Sequence, residues 1–204
     1  MRLDRVLARG CDARGKLGWL LVTAGLCLLL YPVVSRVQGA YSQMRLEREL
    51  EAQGWGEVRR DRRAAEPETL RPCGFPKTKI EIPRIGVSAV VVEGADSATL
   101  RRGPGHFPGT ASPGESGNCC IAAHRNLYGS WFRRLDELRS GDAVILRTAD
   151  AEYSYTVRDV FPVRPTDVSV LDQGVSTTLT LVTCEPRSSD GGRLVAVAVL
   201  TSFD

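Results

Sequence analysis

The chain has 204 residues, 43% of them apolar, and a formal net charge of only +3. That apolar share is enough for a folded core and excludes a wholly disordered chain. The basic residues are spread along the chain and form no single patch, so no nucleic-acid partner is expected.

The first element is an apolar run. Leu17 to Val34 carries no charge over eighteen residues. As a helix rising about 1.5 Å per residue, it roughly crosses the hydrocarbon core of a bilayer. Arg2, Arg5, Arg9, Arg14 and Lys16 precede it, and Arg36, Arg45 and Arg48 follow it closely. The positive-inside rule then puts residues 1–16 in the cytoplasm, 17–34 in the membrane and the rest outside. A cleaved signal peptide is the rival reading, with small residues near Val37 to Gly39 for cleavage. Its apolar run should be shorter, about 7–15 residues, which favours an uncleaved anchor.

Residues 35–76 read as a short charged helix followed by a linker. Residues 41–53 can be helical, with Arg45 and Glu49 spaced i,i+4. From Gly54 to Pro76 the composition shifts to charge, Gly and Pro, the mark of a solvated tether.

Residues 77–204 form the folded domain. The stretches KTKIEIP, VSAVVVE, NCCIAAH, DAVILRT, AEYSYTVRDV, TTLTLVTC and RLVAVAVLTSF are rich in Val, Ile, Thr and Tyr and are bounded by turn residues. That is a strand signature. Seven or eight such strands with few helices between them predict an all-β barrel or sandwich. Short helices are expected at SATLRR, residues 97–102, and at SWFRRLDELRSG, which stops at Gly141.

Of six cysteines, Cys11 would be cytoplasmic and Cys27 lies in the apolar run. Cys73, Cys119, Cys120 and Cys184 remain, an even number that permits two disulfides. Cys119 and Cys120 are neighbours on one strand and so face opposite ways. They read as structural residues. No Cys/His metal spacing occurs, and Asp159, Asp167 and Asp172 follow no calcium-loop pattern, so no metal or other cofactor is expected.

Cys184 stands apart because it ends a strand, in TLVTCEP. A thiol nucleophile needs a basic or cationic partner, since few thiols are ionised at pH 7. The only histidines are His106, in the turn-rich GPGHFPG, and His124, at the end of NCCIAAH. Spacing alone does not choose between them. No carboxylate clearly qualifies as a third member: Asp136, Glu137 and Asp142 suit helix and turn surfaces. Arg193 does qualify, because it opens the last strand nine residues after Cys184. A hairpin there returns a guanidinium to the thiol, where it can hold an oxyanion. Glu185 acts against this, because an adjacent anion raises a thiol pKa.

TLVTC followed by RLVAVA, with IAAHR upstream, resembles the sortases, cysteine transpeptidases of bacterial surfaces. IEIPRIGVSAVVVEG, LRRGPGHFPGTASPGESGNCCIAAHR and WFRRLDELRSGDAVIL resemble class D members in the same order. The likeness covers roughly residues 77–204. It implies a closed sortase-type β-barrel behind the membrane helix. It also implies Cys184 as nucleophile, His124 as general acid and base, Arg193 as holder of substrate and oxyanion, and Thr183 as a substrate-positioning residue. The implied substrate is a protein with an LPxT-type motif, LPxTA or LPxTG for class D. The implied acceptor is an amine of the cell envelope. Residues 160–174 lie where sortases cover their groove, so Val163, Pro165, Val168 and Leu171 are candidates for an apolar pocket. The Asp-Pro-aromatic lid of pilin-polymerising class C members is absent.

Two other readings stand beside this one. One is a membrane-anchored cysteine peptidase that hydrolyses its thioester. The other is a non-catalytic β-barrel surface module, in which Cys184, His124 and Arg193 would be scattered. An L,D-transpeptidase is disfavoured, because LVTC lacks the His and Gly that normally precede its cysteine.

Overall fold

The computed structural model describes residues 4–52, 75–184 and 191–204. Most of the expected tether, together with Cys73 and Glu185, lies outside them. One helix, α1 (Asp4–Glu51), runs unbroken from the apolar segment through the stretch expected to form a separate charged helix. Among the described residues it is long and apolar enough to cross a membrane, with a mean hydropathy of 1.9 over its most apolar window.

Eight strands close into a barrel: β1 (Thr78–Ile82), β2 (Val87–Glu93), β3 (Gly105–His106), β4 (Gly117–Ala122), β5 (Ala143–Arg147), β6 (Glu152–Val163), β7 (Thr177–Cys184) and β8 (Arg193–Phe203). Their order around the wall is β1-β2-β3-β4-β7-β8-β6-β5. The seven expected strands are all present. The eighth, β3, is only two residues long and gave no alternation to read. The hairpin from β1 to β2 turns through a 3-10 segment, Pro83–Ile85, and Gly86, whose φ of +68° suits glycine.

Alternation along the strands sorts the side chains. Ile80, Ile82, Cys119, Ile121, Leu146, Leu179 and Leu181 point into the barrel and form its core. Ala122, Val182 and Val195 form a second cluster, on the outer face, with Leu100, Phe107, Phe161, Val163 and Val170 packed on it. This outer cluster is the floor of the site.

The helix expected at SATLRR forms as α2 (Ser97–Leu100), capped by Asp96, whose Oδ1 accepts from the N–H groups of Ala98 and Thr99. The helix expected in SWFRRLDELRSG does not form. The segment is a run of turns with a single 3-10 turn at Leu135–Glu137. Its buried residues Phe132, Leu135 and Leu138 recur every three positions, which suits 3-10 and turn geometry rather than an α-helical face.

Candidate active site

The strand pairing decides where the reactive side chains meet. β4 and β7 are parallel, and their last matched pair is Ala122 and Val182. Parallel strands end at the same side of a barrel, so His124 and Cys184, two residues further on each, leave from the same rim. The step of two keeps them on the face of Ala122 and Val182, the outer one. β8 returns antiparallel with Cys184 and Arg193 as direct partners. Arg193 lies two residues before Val195, so it too faces outward.

Cys184, His124 and Arg193 line one groove of about 420 Å³. Thr183, Val163, Pro165, Val168 and Leu171 line it as well, so all eight residues singled out from the sequence meet there. The wall from residue 163 to 171 is fastened to β4. Asn118 Nδ2 donates to Val170 O (2.9 Å), and Gln173 Oε1 accepts from Asn118 N (2.9 Å). Sequence reasoning missed the opposite wall, made by Leu100 and Phe107, and the floor residues Ala122 and Val182. Leu100 is the lone large apolar side chain of SATLRR and Phe107 stands among Gly and Pro, so neither has a periodicity to mark it.

The two histidines are now distinct. His106 is 3% exposed and fully partnered. Its Nδ1 lies 2.8 Å from Glu93 Oε2, its Nε2 2.9 Å from Thr110 Oγ1, and Phe75 stacks on its ring. That cluster lines a different cavity. His124 lines the groove, and its buried Nε2 has no hydrogen-bond partner among the described residues. Burial, aided by the positive charge of Arg101, holds its pKa below the ordinary imidazole value. The neutral ring therefore dominates at pH 7, and the protonated ring is a stronger acid than usual.

The cysteines also separate. Cys184 is an exposed free thiol, whereas Cys119 and Cys120 are buried and free. Burial raises both buried thiols, Cys120 to about 12, so neither ionises near neutral pH. Arg193 Nη1 donates to the carbonyls of Gly191 and Gly192, which steadies the guanidinium beside the thiol. The Thr183 hydroxyl donates to Ala123 O (2.8 Å), tying β7 to the residue before His124.

The carboxylates after His124 are engaged elsewhere. Asp136 accepts from Arg125, Glu137 from Arg134, and Asp142 Oδ2 from the N–H of Arg139. Among the described residues no three His, Cys, Asp or Glu side chains form a metal-binding group.

The groove therefore presents an accessible thiol, a neutral imidazole whose buried Nε2 is unpartnered among the described residues, and a cation bonded to its own loop, above an apolar floor. That set suits acyl transfer.

Comparison with known proteins agrees with this. The domain family described as Sortase domain matches residues 80–201. Sortase D of Bacillus subtilis is 33% identical over 126 residues, covering 61% of this chain and 60% of that protein. The chain thus spans less than two thirds of that relative's length. A Clostridium perfringens sortase D5 structure is similar at 36% identity and a TM-score of 0.58, covering 62% of this chain and 79% of its own. Sortase E of Streptomyces avermitilis is similar at 34% identity and a TM-score of 0.59, covering 64% and 90%. On the family match and on these likenesses in sequence and fold, the chain belongs to the sortase family.

Proposed function

We propose that the chain is a membrane-anchored cysteine transpeptidase that cleaves an LPxT-type sorting motif and passes the acyl part to an amine. The observation that carries this reading is the common groove of Cys184, His124 and Arg193, with Cys184 and Arg193 as register partners. The similar Clostridium perfringens protein is itself described as a transpeptidase.

In this reading the Cys184 thiolate attacks the carbonyl carbon of the motif's Thr. The tetrahedral oxyanion is held by Arg193. The peptide C–N bond breaks, and His124, in the minor form that holds a proton while Cys184 is a thiolate, gives that proton to the leaving amine. A thioester on Cys184 remains. His124, now neutral, takes a proton from the incoming amine as that amine attacks the thioester. A new C–N bond forms, the C–S bond breaks, and the thiolate returns. The low pKa of His124 makes it an able donor in the first half and leaves it a free base for the second.

Val163, Pro165, Val168 and Leu171 supply an apolar wall suited to the Leu-Pro of the motif. Thr183 serves by fixing the strand tips, since its hydroxyl is bonded to Ala123. The resemblance to class D sortases suggests LPxTA or LPxTG as the motif. Residues 17–34 are the anchor, residues 1–16 face the cytoplasm, and residues 77–204 are the catalytic domain outside. The basic N-terminal flank supports that orientation. A topology reporter joined after Asp204 should be active only outside the cytoplasm.

The test is product analysis. Full-length protein given an LPxTA or LPxTG peptide and an amine acceptor should yield the amine conjugate. Hydrolysed peptide as the sole product, at any acceptor concentration, would favour the peptidase reading. No cleavage of any LPxT peptide would favour a non-catalytic surface module.

A further inference from the structure

Helix α1 does more than leave the membrane. Its buried residues Ser35, Gly39, Gln43 and Leu50 form one stripe, and Gly39 and Gln43 of that stripe meet the folded domain. Gln43 is the centre of the contact. On β2, β3 reaches only Val92 and Glu93, so among the described residues the edge of β2 before Val92 that faces away from β1 has no strand partner. An open edge leaves backbone groups unsatisfied. The Gln43 side chain fills that gap: the N–H of Val90 donates to its Oε1 (2.7 Å), and its Nε2 donates to Val90 O (3.1 Å) and Arg102 O (3.0 Å). One amide thus imitates a strand neighbour. Glu47 adds an ion pair to Lys79.

One turn before Gln43, α1 reaches the loop that follows His124. A Cβ on Gly39 would lie 2.4 Å from the carbonyl carbon of Tyr128 and 2.5 Å from the nitrogen of Gly129, so only glycine fits. The loop there is strained. Tyr128, Gly129 and Ser130 all have positive φ, at +49°, +89° and +52°. Such a run persists only where its surroundings hold it. Tyr31 reaches the same loop, its Oη 3.3 Å from Tyr128 Oη. Tyr128 in turn sets its ring 5.3 Å from that of His124, and Arg101 covers its ring at 5.4 Å. Phe132 N donates to His124 O, which closes the loop on His124 itself.

We propose that Tyr128 is a positioning residue for His124, and that the docked anchor helix, through Gln43 and Gly39, holds Tyr128 in place. The membrane anchor is then part of the scaffold of the catalytic groove. This rests on the reading of His124 as the general acid and base. Undocking α1 frees the 128–130 loop to relax, Tyr128 leaves the imidazole, and water and Arg101 gain new positions around it. Cys184, Arg193 and Asp167 share the groove with His124 and remain where the barrel puts them.

The chain has only two histidines, which makes the test direct. Full-length protein in lipid nanodiscs, isotopically labelled at histidine, is titrated by NMR, with His106 as the internal reference. Turnover of an LPxT peptide is measured on the same samples. In Gln43→Ala, Gly39→Val and Tyr128→Ala, the His124 resonance should titrate at higher pH than in the wild type, and the His106 resonance should not move. kcat should fall about 10- to 100-fold with KM nearly constant, as for a misplaced catalytic group. Tyr128→Phe, which keeps the ring, should retain most of kcat. The proposal is overturned if Gln43→Ala and Gly39→Val leave both the His124 titration and kcat as in the wild type. It is also overturned if His106 shifts with His124, because the barrel itself is then disturbed. Should the wild type show no turnover while the His124 shifts occur as expected, the docking inference stands and the transpeptidase reading fails.

Discussion

Removing the Thr183 hydroxyl separates two roles for this residue. Thr183→Val keeps the shape of the side chain and deletes the bond to Ala123 O, at a site only 3% exposed. A buried carbonyl left without its donor costs about 1–3 kcal/mol. In a domain of this size that corresponds to a melting point lower by roughly 2–10 °C. Because Ala123 immediately precedes His124, the loss also loosens the proposed general acid. The expected kinetic signature is a fall in kcat with KM unchanged. The assay is a thermal melt of full-length wild type and variant, beside saturation kinetics with an LPxT peptide. An unchanged melt together with a raised KM would refute the reasoning, because the hydroxyl would then serve the substrate and not the strand tips.

Cys184 should be alkylated by iodoacetamide in the folded protein while Cys119 and Cys120 are spared, as peptide mapping by mass spectrometry would show, because both are buried and hard to ionise. Arg193→Ala should melt like the wild type but lose about 10²–10³ in turnover, the usual cost of one oxyanion donor. Arg193→Lys should recover little, since an ammonium lacks the guanidinium fork. Acid should destabilise the wild type partly through His124. Its folded pKa lies below the unfolded value, so the unfolded chain binds more protons between the two. Stability from this group is therefore present above pH 6.5 and is lost as pH falls from there toward the folded pKa. His124→Gln should flatten that part of a denaturation-versus-pH curve, and an unchanged slope would contradict the burial of the ring.

Much of the barrel was legible because its strands are short runs rich in Val, Ile, Thr and Tyr between turn residues. β4, β7 and β8 were readable from NCCIAAH, TTLTLVTC and RLVAVAVLTSF, and with them the placement of Cys184 beside Arg193. The choice between His106 and His124 was not legible from spacing. It depends on which face of the sheet each strand presents, and on Glu93 and Thr110, which only the fold brings to His106. β3 was hidden by its length. The turns around Leu135 looked helical because charged and apolar residues alternate there much as on a surface helix. The union of the apolar segment and the charged helix into α1 was hidden by the change from apolar to charged residues near Arg36, which need not alter backbone geometry. Gln43 gave no signal at all, since a glutamine on a charged helix ordinarily faces water.

The most direct measurement is capture of the acyl-enzyme. Full-length protein is mixed with an LPxT peptide without acceptor, quenched in acid, digested and mapped by mass spectrometry. The account predicts the peptide's acyl portion, ending in Thr, as a thioester on the fragment containing Cys184, and its discharge when an amine is added before the quench. Turnover with no adduct on Cys184, or with the adduct on another cysteine, would contradict it.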